Sequence, residues 1–271
     1  MSFYTSLTGL KNAQSELDVL SHNIANSSTV GFKKSTASFS DIISSSILTD
    51  PSLTIGIGSR LSSVKQQFSL GSMTQTGNTL DLAINGDGFF VVKNPLSGDV
   101  GYTRAGALSV SQDGYIKTDQ GDRLQVYTAD STGAISSTTL SDCQIPTANL
   151  AGSAYSGMTV SNTGQIIASF GDGTTQYLGV IGLATFTNNT GLKQQGSSVW
   201  AATGLSGNAS LGQPKTGSWG AIMSGTLEQS NVDLASEMVS LIDAQRYFQA
   251  NSKAIDTFTQ VSQNIMNLRT S

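Results

Sequence analysis

The sequence predicts an α+β chain in which a long helix at each end flanks one central antiparallel β domain. Apolar residues recur every seven positions near both termini. The middle breaks into short apolar or alternating runs separated by Gly-containing turn signals. Composition agrees: 29 Gly, 4 Pro and 12% charged residues suit short strands and tight turns better than a helical bundle. With 271 residues the chain can bury a sizeable core in its middle even if its ends are held by partners.

The first element rests on Phe3, Leu10, Leu17 and Ile24 at intervals of seven, with Ser6, Ala13 and Leu20 three positions after the first three. Ser2 or Thr5 can cap its start, and Gly31, following NSST at 26–29, lets the chain leave helical geometry. This predicts a helix over 3–27 within an N-terminal segment 1–34. Residues 35–79, rich in Ser, Thr and Gly, read as an extended connecting segment.

The β domain is predicted over 80–205, from DLAINGDGFFVV, GYTRAGALSVSQDGYIKT and GQIIASFGDGTTQYLGVIGLATF. Asp113-Gly114, Asn162-Thr163-Gly164 and Gly171-Asp172-Gly173 read as hairpin turns, where Gly supplies positive φ. A small, polar connector follows at 206–229. In the C-terminal segment 230–271, Leu234, Leu241, Phe248 and Ile255 recur every seven residues before the stripe shifts to Phe258, Val261, Ile265 and Leu268. Ser230 with Asp233 matches a capping box, so the helix is predicted from near 231 to about 268, far longer than three turns. Two helices with matching seams bury them only against each other or against copies of themselves. Periodicity alone does not choose between a homopolymer and a two-helix stalk packed on the chain's own β domain.

Residues suited to chemistry are sparse. The single histidine, His22, sits beside Asn23 and Asn26 on the polar side of the first helix, without a positioned partner. Of 18 carboxylates only Glu16, Glu228 and Glu237 are glutamates, and aspartates such as Asp87, Asp113 and Asp172 stand in turn contexts. Gly56-Ile57-Gly58 and Gly86-Asp87-Gly88 match neither a dinucleotide fingerprint nor a phosphate loop, and no spacing suggests zinc. No catalytic, cofactor or metal residue is assigned, and the chain reads as a non-enzyme. Net charge is −4 and only Lys33 and Lys34 are adjacent basic residues, which argues against nucleic acid. The lone Cys143 reads as a small buried hydrophobe without an intrachain disulfide. MSFYTSLTGLKNAQSELD lacks signal-peptide character and no run of 18 apolar residues occurs, so neither Sec-type export nor membrane insertion is expected.

Three stretches together resemble the flagellar hook and rod family of axial proteins. They are LDVLSHNIANSSTVGFKKSTASFSD (17–41), GSMTQTGNTLDLAINGDGFFVV (71–92) with GYTRAGALSVSQDGYIKT after it, and SGTLEQSNVDLASEMVSLIDAQRYFQANSKAID (224–256). Their order spans nearly the whole chain. His22 stands where the family usually has Asn, and Ala107 replaces a larger or more polar residue. The resemblance implies terminal helices paired as coaxial coiled coils in an inner tube with the β domain outside. It also implies export by the flagellar type III apparatus, assembly under a hook or rod cap protein, and contacts with adjoining rod or hook-filament junction proteins.

On that reading the self-assembly seam is Phe3, Leu10, Leu17, Leu20, Ile24, Leu234, Leu241, Phe248, Ile255, Phe258 and Ile265. Asn23, Asn26, Gln229, Asn231, Gln245, Arg246 and Asn251 are the candidate polar contacts between subunits in a helical homopolymer. STASFSDI at 35–42 and VKQQFSLGSMTQTGNTLDLAI at 64–84 look hook-like, whereas the size suits the distal rod. The resemblance therefore implies a compact hook subunit in an exported, extracellular hook, with a periplasmic distal or proximal rod subunit as the alternative. A secreted β-domain adhesin or enzyme with helical tails is a reading from another class, motivated by the acidic, Thr-rich middle.

Overall fold

A computed structural model describes residues 3–43, 56–149 and 151–270. The chain divides into two compact units: Met1–Ser27 with Lys34–Gln67 and Val232–Ser271, and Ser28–Lys33 with Phe68–Asn231. It is α+β, with a helix near each end and a central β domain.

The helical unit contains α1 (Phe3–Ala25), strands β1 (Ser35–Ile43) and β2 (Gly56–Gln66), and α2 (Leu234–Thr270). The helices pack against each other in opposite directions. Phe3 meets Phe258 with ring centroids 6.4 Å apart, Gly9 lies beside Asn251, and Asn23 bonds Glu237. A Cβ at Gly9 would sit 2.7 Å from Asn251 Oδ1, so a larger residue there would displace the Asn251 side chain. At 1.5 Å per residue α1 is roughly 35 Å long and α2 about 55 Å, so the pairing leaves the end of α2 beyond α1.

The helix ends differ from the sequence expectation in detail. Ser2 lies outside the described residues, and Thr5 is inside the first turn, its carbonyl accepting from the Thr8 hydroxyl at 2.9 Å. α1 stops two residues short of 27, where the Asn26 amide donates to the His22 carbonyl at 2.9 Å and satisfies a terminal acceptor. Asp233, rather than Ser230, caps α2: its Oδ1 accepts from Ala235 N at 3.0 Å and Ser236 N at 3.4 Å, and its carbonyl accepts from Glu237 N.

Residues 35–79 are more ordered than a connector. β1 and β2 pair antiparallel from Ser35↔Gln66 to Ile43↔Gly56, with register shifts at Ser38/Phe39 and Ile42/Ile43. Both strands pack on α1. Two features hid this hairpin. Its Ser- and Thr-rich strands show no clean apolar alternation, and the two register breaks interrupt any period of two.

The β unit holds β3 (Met73–Gln75), β4 (Leu82–Asn85), β5 (Phe89–Lys93), β6 (Val100–Thr103), β7 (Leu108–Val110), β8 (Ile116–Thr118), β9 (Arg123–Ala129) and β10 (Ile135–Asp142). It continues with β11 (Tyr155–Val160), β12 (Gln165–Phe170), β13 (Thr175–Ile181), β14 (Leu183–Thr185), β15 (Lys193–Gly196), β16 (Val199–Ala201), β17 (Ser210–Gly212), β18 (Ala221–Ser224) and β19 (Thr226–Glu228). The main sheet runs β11-β12-β13-β9-β5-β6-β16-β15, with β10 on β9 and β14 bridging β5 and β17. β18 pairs with β4 and β19 with β3, so the stretch read as a connector over 206–229 supplies three strands. These strands are three or four residues long, too short for Leu211, Ile222 and Leu227 to show a period of two.

The centre of the unit is β5. Phe90 joins the cluster of Leu82, Ile84, Leu124, Ile166, Ile181 and Leu183, while its neighbours Phe89 and Val91 join Tyr102, Ala184 and Trp200 on the other side. Alternating Cβ directions send successive residues to opposite faces, and both are covered, so FFVV is continuously apolar. Gly114 closes the β7–β8 hairpin at φ +79°, where a Cβ would lie 2.6 Å from the Ile145 carbonyl oxygen. Cys143 is buried in the first cluster, and burial pushes its thiol up to about 12.

Candidate assembly surface

Along α1, the row buried in the helix pair is Ser6, Ala13 and Leu20, joined by Asn23. Along α2 the buried positions are Glu237 and Ala244, seven residues apart, with the half-buried Asn251 a further seven along. Of these, Ser6, Ala13 and Ala244 are small and let the two backbones come close together. The larger apolar residues therefore flank the contact line instead of filling it.

The proposed seam residues consequently fall into three groups. Leu20 is buried; Leu10, Leu17, Ile24, Leu241, Phe248 and Ile255 are half-buried; Phe3, Leu234, Phe258 and Ile265 are exposed. Phe3, the first described residue of α1, lies opposite Phe258. Val261, Ile265 and Leu268 continue that stripe at helical spacing, and Leu268 is 80% exposed. Near the start of α2, Leu234, Met238, Val239 and Ile242 are also exposed.

The proposed polar contacts divide similarly. Gln245 and Arg246 are exposed. Asn23 is fully buried, donating to Ser35 O at 2.8 Å and Glu237 Oε2 at 3.1 Å and accepting from Ser35 N at 2.9 Å. Its hydrogen-bonding groups are thus engaged within the chain. Asn26 is bound to the end of α1, and Asn231 donates to Ser69 O and Oγ. Gln229 uses its backbone N–H on Ser72 O, and Asn251 donates to Tyr247 O.

Sequence reasoning missed two buried ion clusters. In the β unit Lys33 and Glu228 are 0% exposed and meet at 2.5 Å. Arg104, 3% exposed, approaches the other carboxylate oxygen at 3.4 Å. Glu228 Oε1 also accepts from Gly71 N at 3.0 Å, Lys33 Nζ donates to Ser69 O at 2.8 Å, and Arg104 Nη2 donates to Gly86 O at 3.0 Å. Desolvation holds the Lys33 ammonium below the usual lysine range, against the opposing pull of Glu228. Within the helical unit Lys34 pairs with the buried Glu237. The signal was present in outline: the chain has three glutamates, and two of them engage its one tandem lysine pair.

Three sequence families match successive parts of the chain. The flagella basal body rod protein family matches 3–33, the flagellar hook protein FlgE/F/G D1 domain matches 83–168, and the flagellar basal body rod FlgEFG protein C-terminal family matches 223–268. The flagellar basal-body rod protein FlgG of Bacillus subtilis (strain 168) is 39% identical over 280 aligned positions, covering 99% of this chain and 98% of the relative. FlgG of Agrobacterium fabrum is 32% identical, covering 94% of each. The flagellar hook protein FlgE of Salmonella typhimurium is 26% identical over 411 positions, covering 99% of this chain and all of the relative. End-to-end similarity of this kind, on an α+β chain with terminal helices, places the chain in the flagellar hook and basal-body rod family of structural axial proteins.

Proposed function

We propose that this chain is a subunit of the flagellar rod, the drive shaft of the basal body, and that its exposed α2 stripe is covered by other copies in the assembled tube. The observation that carries the rod reading is collinearity. Rod relatives match at 30–39% identity with nearly equal coverage of both chains, so no large segment is missing from either. The hook relative needs 411 aligned positions against the 271 residues of this chain, so it carries a large insertion. This reverses the hook preference drawn from 35–42 and 64–84.

The proposed tube places the terminal helices as a coiled-coil inner layer and the β unit as its outer wall. Homopolymer contacts bury Val261, Ile265 and Leu268, and the exposed Gln245 and Arg246 make polar contacts at the rim. Adjoining axial proteins, a cap protein and the type III export apparatus are the other proposed partners. Deleting the gene and imaging the basal body by electron cryotomography tests the reading. Loss of the rod beyond a residual stub is expected; a complete rod lacking only its hook would restore the hook reading.

A further inference from the structure

Glu228 sits where four separated parts of the β unit converge. Its side chain takes Lys33 from the 28–33 segment, Gly71 N from the stretch before β3, and Arg104 after β6. Its own backbone carbonyl accepts from Gly31 N at 2.8 Å. Two buried cations thus share one buried carboxylate, and Arg104 Nε has no hydrogen-bond partner. Arg104 lies over the Phe89 ring, 5.2 Å from its centroid, which gives weak additional support to its charge. The arrangement is asymmetric: remove either cation and a one-to-one pair remains, but remove the carboxylate and two like charges are left facing each other out of water.

We propose that Glu228 acts as a charge interlock, coupling the docking of segment 28–33 onto the β unit to the arrival of β19. Lys33 and Arg104 both precede Glu228 by more than a hundred residues and are synthesised before it. Until β19 pairs with β3, no buried carboxylate stands between them, only the exposed Asp87 favouring the Arg104 charge, and closing the unit around Lys33 brings two cations together in a desolvated site. The N-terminal crossing segment therefore stays undocked until the C-terminal strand is in place. Once Glu228 arrives, its carboxylate and its carbonyl fix residues 31 and 33 together.

Hydrogen–deuterium exchange on the full chain tests this, comparing segment 29–33 with β5 and β9 as internal references. Glu228→Gln is expected to accelerate exchange in 29–33 on the order of a hundredfold, and Lys33→Met or Arg104→Met on the order of tenfold or less. Adding Lys33→Met to Glu228→Gln is expected to slow that exchange again, because it removes the repulsion, with Asp87 remaining to favour the Arg104 charge. If Glu228→Gln alone fails to fold, the double variant is expected to recover folding. Equal effects of Glu228→Gln and Lys33→Met, no change in 29–33, or a double variant no better than Glu228→Gln would overturn the interlock.

Discussion

Asn23, fully buried, joins α1 to β1 and α2 by hydrogen bonds. Replacing it with Ala strands the Ser35 N–H and C=O, so Asn23→Ala is expected to destabilise the helical unit by about 2–4 kcal/mol. Urea unfolding followed by helical circular dichroism measures this. Asp142 offers a pH test. Burial acts to raise its carboxyl pKa, but bonds from Gln125 at 2.6 Å and Arg123 at 2.8 Å prevail and hold it below the ordinary 3.8. A depressed carboxyl stabilises the fold fully above its unfolded value, and that contribution is lost as pH falls from 3.8 through the lower folded value. The stability difference between the wild type and Asp142→Asn should therefore shrink below about pH 4 in urea titrations. Cys143, buried and raised to about 12, should resist maleimide in the native chain and react on unfolding.

At the scale of elements, legibility followed apolar periodicity. The heptads at Phe3 to Ile24 and Leu234 to Ile255 marked both helices, and FFVV with the Gly turns marked the β unit. The β1–β2 hairpin escaped because its Ser-rich strands are stabilised by pairing and by α1, not by a buried apolar face of their own. The ion clusters escaped because Lys and Glu are mostly surface residues, and only the fold shows that Lys33, Glu228 and Glu237 are buried. The proposed seam residues recur every seven positions, but that period does not single out Ser6, Ala13 and Ala244 as the close-contact row, which depends on how near the backbones come. The exposed stripe of α2 supplies the element-scale prediction. Ile265 is 61% exposed, so Ile265→Asp should leave helicity and melting of the monomer nearly unchanged while blocking polymer formation in sedimentation assays. Polymerisation at the wild-type rate would remove the stripe from the assembly surface.

For the whole molecule, membership of the axial family explains why a well-packed β unit is combined with a helix whose apolar stripe is exposed among the described residues. β5 is packed on both faces, and Phe90→Ala there should cost about 3–5 kcal/mol in denaturant unfolding. The end of α2, by contrast, leaves Val261, Ile265 and Leu268 largely exposed among the described residues, as an element completed by neighbouring copies requires. A helical reconstruction of isolated rods would show where α2 lies. The terminal helices are expected in the inner layer of the tube, with Val261, Ile265 and Leu268 buried against neighbouring subunits. Density that places these helices on the outside, or leaves that stripe facing solvent, would contradict this placement.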